Sequence, residues 1–147
     1  MNEGIIQRAG EIVSRNTAKN APEGAEPYCV LALMDESCGL TASAITAASA
    51  EGIAWIAFCT GLQSNKAKRI AKSDRASVCF CGADHNITLT GKVEIVTDEA
   101  VKREMWYDGL KNHFRGADDP EYCVLRFHTE GYNLLVDWKE ARGAYED

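Results

Sequence analysis

Apolar residues at Ile5, Ile6, Ala9, Ile12 and Val13 recur at helical spacing, which predicts an amphipathic helix over about residues 2–16. Pro22, Gly24 and Pro27 then mark a connector. Beyond it the period changes. Residues 28–34 form a mostly apolar run, 35–39 are polar and turn-like, 40–48 are small and partly alternating, and 53–60 read as a strand buried on both faces. Helical spacing returns over 63–73, where Ala67, Ile70 and Ala71 oppose Lys66, Lys68, Arg69 and Lys72. Strands follow at 76–82 and 85–96, and Thr97-Asp98-Glu99 caps a second helix over 100–110. After a loop at 116–120, two last strands, 122–128 and 132–138, pivot at Glu130-Gly131, and the polar tail 139–147 is expected to fray. About six strands with helices inserted among them, rather than alternating, predict a mainly β, antiparallel barrel that is closed or nearly so. With no repeat and no linker, residues 1–147 read as a single domain.

A net charge of -6 and a pI near 5.1 speak against a general nucleic-acid binder, which would carry a basic face. The longest apolar stretch, 53–59, is strand-sized and far short of the ~20 residues of a membrane helix. The N-terminus has no apolar signal core, so a cytoplasmic protein without a membrane partner is expected. Cys29, Cys38, Cys59, Cys79, Cys81 and Cys123 lie mostly within apolar runs and read as packed thiols rather than a disulfide framework. Cys79-x-Cys81 with His85 offers a zinc alternative, because residues two apart on a strand share a face. No second ligand pair accompanies it. His113 and His128 have no evident acid or nucleophile partner and read as structural or solvated.

Candidate chemistry concentrates in residues 58–70. A strand ends in Phe58-Cys59-Thr60, a glycine turn follows, and a helix starts with Ser64 near its N-cap. Helix starts carry unpaired N–H groups and the positive end of the dipole, which favour acids. Here Lys66, Lys68 and Arg69 stand instead. An anion held by the Thr60 and Ser64 hydroxyls, backbone N–H groups and Lys66 would resolve that conflict. A capped surface helix with solvated lysines is the alternative. Neither G-x-G-x-x-G nor G-x-x-x-x-G-K-[ST] occurs, so a dinucleotide fold and a P-loop are not indicated. A positive field at this position would lower the pKa of Cys59; the alternative is a packed strand thiol.

Phe58-Cys59-Thr60, then Gly61-Leu62-Gln63-Ser64-Asn65-Lys66-Ala67 on a helix, then Ala76-Ser77-Val78-Cys79-Phe80 and Ile87-Thr88-Leu89-Thr90-Gly91-Lys92-Val93 follow in order. From about Tyr28 to Trp138 the chain resembles the pyridoxamine 5'-phosphate oxidase-like FMN-binding split barrels, in particular their general stress protein branch. The resemblance implies a six-stranded split barrel and a homodimer with FMN in the groove between subunits. It also implies a flavoprotein oxidoreductase that exchanges electrons with a small-molecule donor or acceptor. Ser64 and Lys66 fall where the family binds the FMN phosphate, and Cys59 and Thr60 where a strand end runs beside the ribityl chain. Ser43, Ala44 and Ile45 align with the strand bordering the isoalloxazine ring, Asn86 with an amide facing the ring, and Trp138 with a late aromatic.

The departures also matter. Ser43 and Asn65 are neutral where the family often has basic residues, so the phosphate would rest on Lys66 with Lys68 or Arg69 in support. Each missing charge-assisted pair, ~1.5–3 kcal/mol, would weaken FMN by a decade or more. No basic segment follows Trp138, so efficient oxidation of pyridoxamine phosphate is not expected. Trp106 and Tyr107, at helical spacing with Val101 and Leu110, read as core or dimer contacts. A cofactor-poor binding module with the same barrel, or a groove holding haem or a deazaflavin, are the competing readings. The apolar strand 53–58, richer in apolar surface than a small barrel hides, adds to the expectation of a dimer.

Overall fold

The computed structural model describes residues 2–25 and 27–146. Helix α1 (Glu3–Arg15) buries Ala9, Gly10, Ile12 and Val13, the stripe its spacing predicts. Gly10 sits where any Cβ would lie 2.9 Å from the Gly52 Cα, so its missing side chain lets the helix backbone touch the turn around Gly52.

Eight strands form one antiparallel sheet: β1 (Cys29–Asp35), β2 (Gly39–Ile45), β3 (Ala47–Glu51), β4 (Trp55–Gly61), β5 (Arg75–Gly82), β6 (His85–Val96), β7 (Tyr122–Val136) and β8 (Lys139–Ala144). The order is β2-β1-β5-β6-β7-β4-β3, with β8 added beside β7. Helix α2 (Asn65–Lys72) joins β4 to β5. Helix α3 (Glu99–Met105) and a 3-10 turn, Asp108–Asn112, lie between β6 and β7.

The count is eight rather than six for two physical reasons. The stretch expected as one strand over 40–48 breaks at Thr46. Its first half pairs with β1 and its second with β4, so one bent segment supplies both ends of the sheet. The tail expected to fray forms β8 instead: Ala141 opposes Leu134 and is buried in the core, an anchor that the charged neighbours hide in the sequence. With 39–51 taken as one bent strand and β8 set apart, the expected six lanes remain.

The last two strands are likewise one strand. At Glu130 β7 carries a bulge: Thr90 opposes Gly131 and Gly91 opposes Thr129, so the chain kinks without reversing. The reversal comes later, through Asp137 and Trp138, both at positive φ, which leaves Trp138 79% exposed. The helix expected over 100–110 ends at Met105 and resumes only as the 3-10 turn.

Two apolar clusters hold the fold. The barrel interior contains Leu31, Phe58, Phe80, Ile87, Leu89, Leu125, Phe127 and Leu134. On the outer face of β4 and β7, Met105 of α3 and Leu110 of the 3-10 turn cover Ala57, Tyr122 and Val124, with Trp106 and Tyr107 packed against them. Both faces of β4 are therefore covered within one chain: Ile56, Ala57 and Phe58 are 0% exposed, and Ile53 just before the strand is 2%. The dimer argument drawn from that strand is thus removed. The exposed large apolar side chains on the sheet are instead Val30, Met34 and Leu40, on β1 and β2.

Candidate functional site at the start of helix α2

Ser64 is the N-cap of α2, and its Oγ accepts the Ala67 N–H at 3.1 Å. The Thr60 hydroxyl, at the end of β4, donates to the same oxygen at 3.1 Å. With both acceptor positions used, the Ser64 O–H is left to donate outward. Lys68 N–H reaches Ser64 O, while Asn65 and Lys66 N–H find no acceptor among the described residues. Helices α1 and α3 each carry an acid in the first turn, Glu3 and Glu99; α2 has none. Its ion pairs are Arg69–Asp35 and Lys72–Glu36, so Lys66 meets no carboxylate among the described residues. The start of α2 thus presents one hydroxyl, two N–H groups and an ammonium without a counter-charge. This is a donor set for an anion. Glu121, the nearby acid, accepts the Gln63 N–H at 2.7 Å and fixes the preceding turn.

Thr60, Ser64, Asn65 and Lys66 come together here. Ala47 opposes Phe58, which sets Ile45 and the bend at Thr46 beside the end of β4. Along β2 the faces alternate: Ala44 opposes exposed Val30, whereas Ser43 and Ile45 oppose buried Leu31 and Cys29. Asn86 stands apart. It lies away from the helix start, on the sheet face it shares with Cys79, whose partner Val30 opposes Ala44 on β2. The Asn86 Oδ1 accepts from Thr88 and Cys79, and its amide N–H groups have no acceptor among the described residues.

Cys59 takes the packed alternative. Its thiol faces away from the helix start, donates to Met105 O at 3.6 Å and lies 3.5 Å from the Tyr122 hydroxyl. Burial pushes it up to about 11, so it is a packed strand thiol and not an activated one. Arg69 is likewise engaged by Asp35, and Lys68 lines a separate cleft with Met34 and Ser37. Cys79, Cys81 and His85 gain no further ligand: no group of three or more His, Cys, Asp or Glu comes together among the described residues. None of the described helices is long and apolar enough to cross a membrane.

The geometry defines an antiparallel split barrel with an anion-receptive helix start at its seam. The chain belongs to the pyridoxamine 5'-phosphate oxidase-like family, whose model matches residues 24–136. Solved structures share the fold at low identity. A Clostridium acetobutylicum protein related to general stress protein 26 aligns with a TM-score of 0.78 at 20% identity, covering 98% of this chain and 96% of that one. General stress protein 26 of Bacillus anthracis gives 0.68 at 19% identity, covering 79% and 88%. A Nostoc punctiforme pyridoxamine 5'-phosphate oxidase-related, FMN-binding protein gives 0.64 at 12% identity, covering 98% and 95%. No curated protein matches the sequence.

Proposed function

We propose that the protein is an FMN-binding oxidoreductase that holds the FMN phosphate at the start of α2. The observation that carries this reading is the uncompensated donor set of Ser64, Asn65, Lys66 and two free N–H groups. A fold neighbour described as FMN-binding supports it. When bound, the flavin supplies the hydride or electron chemistry. The chain supplies position. Thr60 orients the Ser64 hydroxyl, which donates to a phosphate oxygen, and Lys66 balances its charge. The 44–45 backbone borders the ring. Cys59 contributes backbone only, since its thiol is packed beneath α3. Lys66→Ala should weaken FMN at least tenfold, about 1.4 kcal/mol; an unchanged affinity in a calorimetric titration would remove the phosphate from this place.

We further propose a homodimer through the outer face of β1, β2, β5 and β6. There Val30, Ala32, Leu40, Ala42, Ala44, Cys79 and Thr88 make an uncharged patch flanked by the exposed Met34 and bounded at one end by Arg75 and Lys92. A second copy on this face would complete a flavin site shared between the two chains. Light scattering at micromolar concentration should give twice the 16.1 kDa chain mass. A purely monomeric sample would exclude the shared site.

A further inference from the structure

A second concave feature adjoins the helix start. Between α2 and the β1–β2 turn lies a cleft of about 440 Å³, lined by Met34, Asp35, Glu36, Ser37, Asn65, Lys68, Arg69, Lys72 and Ser73. That volume is nucleotide-sized. Asn65 belongs both to this cleft and to the first turn of α2, so an anion at Ser64 and Lys66 sits at the cleft's mouth. The charges within are not equivalent. Asp35 is taken up by Arg69, and Glu36 by Lys72 at 3.1 Å. Lys68 alone has no counter-charge among the described residues and points one cation into the space. Met34, 41% exposed, gives it an apolar wall, and thioethers pack well against flat aromatic rings. With the Ser37 hydroxyl already donating to Asp35 at 2.6 Å, one spare cation, the Ser73 hydroxyl and an apolar wall suit one further phosphate carrying a flat base.

We propose that this cleft receives the second phosphate and the nucleoside of a flavin dinucleotide, so that the site takes flavin adenine dinucleotide as well as FMN. The inference rests on the phosphate placement above, and its test separates the two. Both flavins are titrated calorimetrically into the wild-type chain, Lys68→Ala and Lys68→Glu. The dinucleotide should bind at least as tightly as FMN. Each substitution, on a solvent-exposed side chain, should weaken the dinucleotide fivefold or more while FMN changes less than twofold. FMN binding with the dinucleotide more than tenfold weaker would overturn this inference and leave the FMN reading standing. So would variants that weaken both flavins alike. If neither flavin binds, both fall.

Discussion

Gly91→Ala is expected to cost the barrel at least about 3 kcal/mol, the range of a forced backbone displacement in a packed interior. Gly91 is buried at the β7 bulge, and a Cβ there would lie 2.0 Å from the His128 carbonyl oxygen and 3.1 Å from Glu130 N. Neither obstacle is a flexible side-chain end. Relief requires moving β6 away from β7 along the longest ladder of the sheet, whose pairs run from His85↔Val136 to Val96↔Val124. The neighbouring Thr129 is itself fixed, buried with its hydroxyl on Ile53 O and its N–H on Ala54 O. For a chain of this size each kcal/mol is roughly 4 °C in Tm, so a fall beyond 10 °C is expected in thermal unfolding followed by circular dichroism. Gly4→Ala is the matched control. It lies in α1 with open space around it and should gain about 0.5–1 kcal/mol. A Gly91→Ala fall under 3 °C would mean the bulge yields easily.

Pyridoxamine 5'-phosphate should leave the flavin of FMN-loaded protein oxidised. Its oxidation needs a second phosphate site over the ring, which ordinarily recruits more than one cation. The strand that follows β7 offers Lys139 and Arg142. Arg142 opposes Asn133, and Glu140, two residues away on the same face, opposes Leu135. Lys139 opposes buried Val136 and so belongs to the other face. The outer face therefore presents a single guanidinium with a carboxylate beside it. Ordering the tail as β8 makes that arrangement fixed, whereas a mobile tail could rearrange around a ligand. The assay is anaerobic mixing with the flavin band followed in time. Rapid bleaching with release of pyridoxal phosphate would show that the sheet face itself provides a second phosphate site.

What the sequence disclosed depended on how strongly each segment's pattern was marked. Helix α2 and the β5–β6 hairpin emerge close to their observed limits, because charges and apolar residues separate cleanly in both. The helix-start donor set is also readable, since an N-cap serine followed by lysines instead of acids is a local signal. Strand β8 is not, because Ala141 is its one buried side chain among charged neighbours. Glu130-Gly131 looks like a turn; only the uninterrupted partner β6 makes it a bulge. The fate of Cys59 depends on Met105, 46 residues away, and on which face of β4 the thiol occupies. The uncovered apolar surface of the sheet was hidden for a similar reason. Strand β4 is the more apolar in sequence, but α3 covers its outer face, while the milder β1 and β2 stay uncovered.

The covered state of β4 has a consequence during synthesis. Its partner on one edge, the first half of β7, follows far behind: Phe58 pairs with Leu125, about 67 residues later in the chain. At ~5–20 residues per second, a ribosome needs roughly 3–13 s to deliver that partner. Helix α3, which shields the outer face, also emerges late. For those seconds the nascent chain carries an apolar strand with one open edge, the kind of segment that pairs with a neighbouring chain when concentration allows. Loop closure of this length also places the barrel with slow-folding β topologies, on the order of milliseconds to seconds after release. Yield of the newly made protein should therefore be governed by crowding of unfinished chains more than by the stability of the finished one.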